Sequence, residues 1–193
     1  MGIICKRILL GLGILATSPL ILLCWLETLL CRGKGERIYS QCKELVATVP
    51  TIVGQYLRLG FYYVVCERIS PDVSFLLGSM VAHRATTIGA HTVVGAYSIV
   101  GCADIEENVL IGSRVSLLSG KYQHGTPEER ANGQTTNDTY QRIHVGRGSW
   151  IGEQAVVLAN VGENCTVGAG SVVLRDTVDN ATYMGNPARK VSL

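Results

Sequence analysis

One histidine stands alone in a long polar segment of the chain. His124 is the only histidine between residues 118 and 143, a stretch rich in glycine, threonine, asparagine and charged residues. Imidazole titrates near neutrality, so it can take up or release a proton at physiological pH. Asp104, Glu128 and Glu129 could each fix its tautomer, and the sequence does not choose among them. A loop histidine taken by itself is more often only solvated, so its role depends on the elements that position it.

The composition argues against several other kinds of chemistry. Lys and Arg number 17 against 15 Asp and Glu, and this formal net charge of +2 is too balanced for a polyanion-binding surface, so nucleic acid is not expected as a partner. The seven cysteines are odd in number and include no CxxC pair, which argues against a disulfide framework or a cysteine zinc site. We expect them to be small buried hydrophobes in a reducing compartment.

A six-residue repeat runs through residues 69–178. An apolar residue, here named an anchor, recurs about every six positions and is often followed by glycine. The fifteen anchors are Ile69, Phe75, Val81, Ile88, Val94, Val100, Ile105, Ile111, Leu117, Val145, Ile151, Val157, Val161, Val167 and Val173. Small residues stand four positions after many anchors: Ser79, Ala85, Thr92, Ser98, Ser149, Ala155, Cys165, Ser171 and Thr177. Three hexads make one triangular coil, so the anchors predict five coils.

The repeat has a direct physical interpretation. Each anchor points into a prism, and the small residue that follows also points inward, where little room remains. Coils stack about 4.8 Å apart, so backbone groups bond to the coil above and below. Glycine is expected to help the chain turn with positive φ. A β-sandwich would show turn signals every ~8–12 residues, and this sequence lacks them.

The six-residue frame breaks at four places. They are one extra residue in 81–88, one missing in 100–105, two missing in 157–161, and 28 positions in place of six in 117–145. Asp104 takes a fourth position that should be small, beside the second break, which makes it a candidate for a catalytic cleft. The largest break is the polar segment that carries His124. An insertion of that size in a solenoid is either a tolerated loop or a functional one.

These motifs resemble those of a known family. The hexads resemble the hexapeptide-repeat family, which implies a left-handed parallel β-helix. Over about residues 69–191 the chain is similar to the galactoside and maltose O-acetyltransferases and related antibiotic and polysaccharide acetyltransferases. The shared motifs are Ile111-Gly112, Val115-Ser116-Leu117, the loop with His124, Ser149-Trp150-Ile151-Gly152, Val167-Gly168-Ala169-Gly170-Ser171-Val172-Val173 and Gly185-Asn186-Pro187-Ala188-Arg189.

The resemblance implies an activity and a general base. In such enzymes a loop histidine takes the proton of the acceptor hydroxyl as that hydroxyl attacks the thioester of acetyl-CoA, so this role falls to His124. The frame break, and not the resemblance, makes Asp104 a candidate catalytic partner, with Glu128 and Glu129 as the alternatives. Base catalysis of this kind contributes about 10²–10⁴-fold. Direct attack needs no cysteine nucleophile. The implied enzyme is an acetyl-CoA-dependent O-acetyltransferase that acts on a sugar hydroxyl.

The resemblance also implies a binding groove for acetyl-CoA between the subunits of a homotrimer. The positions that match cofactor-binding residues are Trp150, Gly152, Ala169, Arg175, Arg189 and Lys190. Glycine and alanine would let the cofactor approach the backbone, and arginine suits its phosphates because its planar fork makes paired bonds. Leu174 departs from the family, which often has threonine there, and Trp150 could instead be a packed aromatic.

The remaining histidines test a rival with the same fold. His83 and His91 fall at outward positions and His144 precedes an anchor, so all three are expected at the surface. The γ-class carbonic anhydrases need three zinc histidines, two of them closely spaced. No second histidine lies near His124 in the loop, so a metal site is not expected.

An uncharged segment precedes the repeat. Residues 8–26 carry no charge over 19 positions, close to the ~20 that cross a bilayer as a helix. A cleaved signal peptide would have a hydrophobic region of only ~7–15 residues that ends in small residues. Pro19 should bend the helix. The basic residues on both sides favour a re-entrant hairpin with both ends in the cytoplasm, similar to the anchor of monotopic phosphoglycosyltransferases, and a spanning helix is the alternative.

The sequence therefore predicts four regions: a membrane anchor at 1–35, a helical or interfacial connector at 36–68, a β-helix at 69–178 with a catalytic loop at 118–143, and a cofactor-contacting tail at 179–193. The connector could pack on the β-helix or lie in the membrane interface, where Arg58 would suit the headgroup layer. We expect a membrane-associated enzyme that faces the cytoplasm and acetylates a glycan or lipid-linked saccharide. The rival from another class is a non-catalytic trimeric scaffold.

Overall fold

The computed structural model describes residues 2–32, 35–120, 125–132 and 140–192. Three helices precede the repeat, and a short fourth helix lies in the long insertion: α1 (Ile3–Leu30), α2 (Arg37–Thr48), α3 (Thr51–Val65) and α4 (Pro127–Ala131). Short strands form the rest: β1 (Arg68–Ile69), β2 (Ser74–Phe75), β3 (Met80–Val81), β4 (Thr87–Ile88), β5 (Val93–Val94), β6 (Ile99–Val100), β7 (Ala103–Ile105), β8 (Leu110–Ile111), β9 (Ser116–Leu117), β10 (Ile143–Val145), β11 (Trp150–Ile151), β12 (Val156–Val157), β13 (Thr166–Val167), β14 (Val172–Val173), β15 (Thr182–Met184) and β16 (Arg189–Val191).

The strands stack into three parallel sheets, the faces of a triangular prism. Face A has the order β1-β4-β7-β10, face B runs from β2 to β16, and face C has the order β14-β12-β9-β6-β3. Val161 bridges to Val145 and completes face A of the fifth coil. All fifteen anchors are buried. The predicted β-helix of five coils is confirmed.

Eight of the nine small residues predicted to point inward are buried, and Ala85 is the exception. Ala85 is exposed, and Thr86 is buried in its place. Likewise Ala103 is the buried residue before Ile105, while Asp104 points away from the core. The inward residue lies two positions before the next anchor because alternate residues of a strand share a face. Counting forward from the previous anchor fails wherever the intervening corner changes length, so Asp104 does not occupy a small core position.

The glycine after an anchor is required by contact with the next coil. A Cβ on Gly95 would lie 2.6 Å from the amide nitrogen of Ser113. The left-handed conformation occurs two residues later, for example at Tyr97 (φ 57°) and Gln154 (φ 59°). The prediction that glycine turns the chain with positive φ holds at Gly78 (72°), Gly148 (68°) and Gly170 (67°). It fails at the glycines that follow anchors, whose role is to leave room for neighbouring backbone.

Every break in the six-residue frame lies at one corner of the prism. The spacings from face A to face B and from face B to face C are six residues throughout. The segments 81–88, 100–105, 117–145 and 157–161 all connect face C to face A. We name this edge the variable corner. Two corners keep the coils in register, and the third absorbs every change in chain length.

The helices close the first coil of the prism. α1 packs on α3, and α3 packs on β2. Arg58, in α3, is 1% exposed and donates hydrogen bonds to the carbonyl oxygens of Phe75 and Val49, among others. The packing alternative for the connector is therefore the observed one, and Arg58 has no access to a headgroup layer. Its guanidinium satisfies carbonyl groups beyond the end of α2 that burial would otherwise leave unpaired.

Both ends of α1 are joined to the first coil. Near its start, Arg7 pairs with Asp72 at 3.1 Å, in the turn between β1 and β2. Near its end, the buried carboxylate of Glu27 accepts from the amides of Ile38 (2.7 Å) and Tyr39 (3.2 Å) and lies 3.6 Å from Arg84. Arg84 lies in the turn between β3 and β4.

The helix runs unbroken through Pro19. The Thr17 hydroxyl donates to the carbonyl of Gly13 at 2.8 Å, one turn back along the same helix. Pro19 does not divide α1 into two helices, and the hairpin and the spanning helix both stay predictions. Length and composition alone would allow α1 to cross a bilayer.

Candidate active site

The long insertion leaves and rejoins the prism at the variable corner. It departs after Leu117 on face C and returns through Arg142 to β10 on face A. His124, the predicted base, lies outside the described residues. The described parts of the insertion are residues 118–120, α4 with its flanks, and residues 140–142. These parts show where the loop is held.

The returning strand is held beside the first coil. The ring of Tyr140 packs against the ring of His83 at a tilt of 43°, with centroids 4.2 Å apart. Two residues later, Arg142 makes paired bonds to the carboxylate of Glu67 at 3.2 and 2.6 Å. Glu67 and His83 belong to the start and end of the first coil, whereas the insertion leaves from the third coil. The side chains of Tyr140 and Arg142 therefore reach past the second coil toward the helical end of the molecule, while the amide of Gln141 between them donates to the carbonyl of Ser119, just after β9.

His83 is not the surface residue that its position predicted. Its Nδ1 lies 2.8 Å from the carboxylate of Glu36, just before α2, and its side chain is 18% exposed. Burial raises the pKa of Glu36, but the hydrogen bonds from His83 and from the Arg84 amide outweigh it and leave the pKa below its ordinary value. The sequence held no signal for this pair, because the two residues lie 47 positions apart.

Asp104 lies on the outer surface of face A, next to the variable corner. In the ladder it stands between Thr87 of the second coil and His144 of the fourth, and Thr87 donates a hydrogen bond to its carboxylate. The ladder continues with Asn160, whose side chain accepts from the amide of His144 at 2.9 Å. Asp104 is thus partly exposed and faces outward.

A polar cleft of about 350 Å³ opens on this face. Its lining includes Asp104, Glu106, Arg68 and Arg147. Glu106 lies 3.5 Å from the Arg147 guanidinium and 3.9 Å from Nε2 of His144. The lining therefore carries charged groups of both signs. Such a cleft suits a polyhydroxylated ligand, because carboxylates accept hydrogen bonds from hydroxyls and arginines donate hydrogen bonds to them.

The other candidate partners of His124 have different surroundings. Glu129 and Thr126 form a capping box: the Thr126 amide donates to the Glu129 carboxylate at 2.6 Å, and the Glu129 amide donates to the Thr126 hydroxyl at 3.2 Å. Glu128 is exposed. The Glu129 carboxylate therefore already stabilises the start of α4. Asp104 and Glu128 have no such capping role among the described residues, so they remain the candidates to orient His124.

The residues matched to the cofactor groove lie in two places. One group lies on face B and at the turn from face B to face C, and Arg175 lies at the variable corner. Trp150 is 51% exposed on face B, so it is not a core aromatic. Gly152 is buried, and a Cβ there would lie 2.5 Å from the amide nitrogen of Ala169. Gly152 is thus fixed by coil packing, whatever else approaches it. Ala169 is exposed at the adjoining corner, and its amide donates to no acceptor among the described residues.

The basic residues follow the same division. Arg189 and Lys190 are exposed on β16, which pairs with β15 at the end of face B. Arg175 is exposed just after β14, at the variable corner. Within one chain, Arg189 and Lys190 are therefore near the Trp150 face, and Arg175 is near the corner of the insertion. The exposed guanidinium groups of Arg175 and Arg189 are therefore both accessible to anions.

The cysteines offer no activated nucleophile at the variable corner. Burial raises the pKa of Cys102, at the variable corner, which makes it a poor nucleophile. Cys5 and Cys31 are exposed, unlike the other five cysteines, so the expectation of burial fails at both ends of α1. In the part of the chain that the structure describes, no group of three His, Cys, Asp or Glu side chains could hold a metal ion.

Comparisons with known proteins point in one direction. Residues 142–175 match a family model described as the hexapeptide repeat of succinyl-transferase. The galactoside O-acetyltransferase of Escherichia coli (strain K12) is 36% identical over 90 residues, which are 45% of this chain and 42% of that protein. Serine acetyltransferase 4 of Arabidopsis thaliana is 36% identical over 89 residues, 45% of this chain and 23% of that protein. The chain spans less than half the length of either relative.

Solved structures share the fold. The hexapeptide-repeat containing acetyltransferase VCA0836 from Vibrio cholerae superposes with a TM-score of 0.64 at 19% identity, over 81% of this chain and 89% of that one. AntD, an N-acyltransferase from Bacillus cereus solved with dTDP-4-amino-4,6-dideoxyglucose and coenzyme A, gives 0.52 at 21% identity, over 66% and 76%.

Proposed function

Because the chain belongs to the hexapeptide-repeat acetyltransferase family, we propose that it transfers an acetyl group from acetyl-CoA to a hydroxyl of a saccharide. The observation that carries this proposal is the variable corner. The only long insertion between anchors, which contains His124, leaves and rejoins the prism there, at the edge of face A, and the outer surface of face A carries a cleft lined by carboxylates and arginines. Active sites are expected in such loops on a rigid scaffold.

The proposed reaction is a direct attack. His124 accepts the proton of the acceptor hydroxyl while the hydroxyl oxygen bonds to the thioester carbonyl carbon. The carbon–sulfur bond then breaks, CoA leaves as the thiol, and the proton passes to its sulfur. A neutral hydroxyl is a weak nucleophile, so base catalysis is where a histidine contributes most.

Acetyl-CoA as the co-substrate fits the exposed groups on face B. The free amide of Ala169 can donate to an amide carbonyl of the pantetheine arm, and Arg189 can pair with phosphate. The Gly152 position brings the two coils close beside this corner. Coenzyme A in the AntD complex supports the same co-substrate. A homotrimer, with this groove between subunits, is part of the proposal.

The acceptor we propose is a glycan or a saccharide carried on a lipid, at the cytoplasmic face of a membrane. The named activities of the galactoside enzyme and the sugar nucleotide in AntD support a sugar. The apolar surface of α1 supports a membrane. The insertion supports a sugar acceptor at a membrane, because Tyr140 and Arg142, near its end, contact residues of the first coil, which lies beside the helices.

A thiol-release assay tests the proposal. Purified protein is mixed with acetyl-CoA and a panel of sugars and lipid-linked saccharides, and CoA release is compared with acetyl transfer by mass spectrometry. His124→Ala should lower kcat/KM by about 10²–10⁴-fold. His91→Ala, exposed on the prism at a different corner, is the matched control. No acceptor-dependent thiol release across the panel would favour a non-catalytic scaffold, and unchanged activity in His124→Ala would remove the base assignment.

A further inference from the structure

We propose that α1 lies flat in the interfacial layer of an anionic lipid bilayer, with its outward face in the acyl region and the β-helix standing on it. This inference rests on the membrane association proposed above and specifies its geometry. It replaces both the hairpin and the spanning helix with a third arrangement, in which neither end of α1 crosses the membrane.

The outward face of α1 has no polar partner in the protein. Ile8, Leu15, Leu22 and Leu29 are 58, 70, 60 and 77% exposed, respectively. They stand seven positions apart, so they form one line along the helix. No charged residue interrupts α1 from Ile8 to Leu26. A helix that is apolar on both its packed and its outward faces needs an apolar environment on the outward side.

The contacts of α1 fix its direction relative to the β-helix. Arg7 and Glu27 join it to Asp72 and Arg84, which lie in two turns of the same first coil. Their attachment points on α1 are 20 residues apart, about 30 Å of helix. Because both points meet one coil, α1 lies across the end of the prism and does not extend away from it.

That direction disfavours a spanning helix. The hydrocarbon layer is also about 30 Å thick. If α1 crossed it with these contacts intact, the first coil would lie inside the bilayer, with Asp72 and Arg84 at opposite surfaces. Unpaired strand edges and charged turns are not tolerated there. An orientation along the surface keeps the same contacts and exposes only the apolar line to lipid.

Charge and aromatic placement favour lipid over a second protein chain. Lys6 and Arg7 flank the apolar line at one end, and Arg32 and Arg37 flank it at the other. Arg32 and Arg37 are exposed. Paired basic groups at both ends complement anionic headgroups, and two facing copies in antiparallel or parallel contact would bring like charges together. Trp25, 54% exposed, suits the headgroup boundary.

Depth-dependent quenching tests the orientation. Cys5 and Cys31 are changed to serine, and single cysteines at positions 8, 15, 22 and 29 are labelled with an environment-sensitive fluorophore. The full chain is bound to vesicles of phosphatidylcholine and phosphatidylglycerol that carry bromine at different acyl depths. All four labels should lie at one shallow depth, about 5–10 Å below the headgroup boundary. Deep labels at 15 and 22 with shallow ends would contradict the proposal and indicate a span or hairpin. Absence of quenching with crosslinking between chains would indicate a second copy instead.

A pair of substitutions tests the surface itself. The double variant Leu15→Glu/Leu22→Glu should weaken vesicle binding at least about tenfold for each substitution, since each removes a buried leucine from lipid. Val178→Glu, at an apolar position that is 55% exposed at the far end of the β-helix, should bind as the parent does. Equal vesicle affinity in the α1 variant and the parent would overturn the proposal. Acetyl transfer to a soluble sugar in detergent is measured in parallel, so a failed orientation remains distinct from a failed activity.

Discussion

Gly13 of α1 and Gly60 of α3 face each other where the two helices cross. A Cβ on Gly60 would lie 2.6 Å from the carbonyl carbon of Gly13, and one on Gly13 would lie 2.9 Å from the carbonyl carbon of Tyr56. The obstructing atoms are backbone, so neither helix can relieve the clash by a side-chain rotation. The apolar helix is therefore fitted to α3 at one defined crossing point.

Substitution at this crossing should separate the helices. Gly13→Ala should lower the free energy of unfolding by about 1–3 kcal/mol through overpacking. Gly11→Ala is the matched control, because nothing lies within 4 Å of its Cβ position. It should be neutral or stabilising by up to about 1 kcal/mol, from helix propensity. Thermal and denaturant unfolding in one detergent measures both. Equal stability of the two variants would contradict the packing.

The Glu36–His83 pair should make stability depend on pH. The pKa of Glu36 is lowered by folding from an ordinary value of 4.5, so its contribution is present above 4.5 and is lost as the pH falls through the lower, folded value. Glu36→Gln should cost about 1–2 kcal/mol at neutral pH. It should also show a weaker loss of stability below pH 4.5. Denaturant unfolding at a series of pH values measures both effects, and parallel curves for parent and variant would refute the pair.

Asp104 should act through the base if it belongs to the catalytic site. Asp104→Asn alone should lower kcat/KM by roughly tenfold or more, whereas in the His124→Ala background it should have little further effect. Asp176→Asn is the control, because its exposed carboxylate lies at the other end of the ladder from Asp104, where it accepts from the amide of Asn160. Additive effects in the double-mutant cycle would show that Asp104 and His124 act independently. A normal pH–rate profile in Asp104→Asn would argue for a structural role only.

Arg189 should bind the phosphates of the co-substrate. Arg189→Ala should raise the KM for acetyl-CoA about tenfold or more and leave kcat nearly unchanged, because the lost contact is the same in the ground and transition states. Arg175→Ala tests the other corner. If only Arg175→Ala raises the KM, the phosphates lie at the variable corner and not beside β16. Arg37→Ala, exposed at the opposite end of the molecule, should leave the KM unchanged.

The core of the β-helix was predictable because one rule governs it. Each anchor from Ile69 to Val173 is buried, since any other residue type would leave the prism unfilled. The small partners were predicted less well because Thr86 and Ala103 follow the register of the next strand, and that register was obscured by the uneven corner before it. The sequence shows that glycine often follows an anchor, but it does not show why glycine is required there. At Gly95 the reason is close contact with backbone from another coil.

The candidate site was only partly predictable. The insertion stood out as a departure from a repeat, and such a departure is visible in one dimension. Asp104 stood out only because the inward position was counted from the previous anchor, whereas Ala103 holds that position. The pairing of Glu36 with His83, and of Tyr140 with the same ring, depends on how the helices and the returning loop fold over the first coil. Contacts between segments so far apart in the chain leave no local pattern.

The last strand has a consequence for how whole molecules can meet. A column of parallel coils offers an open rung at each end, onto which another molecule could add its own, and so on into a filament. Here β16 doubles back against β15 in the opposite direction, and α3 with α1 occupies the other end. The end rung of face B is therefore capped by an antiparallel strand and the first coil by helices, which disfavours the end-to-end addition of parallel coils.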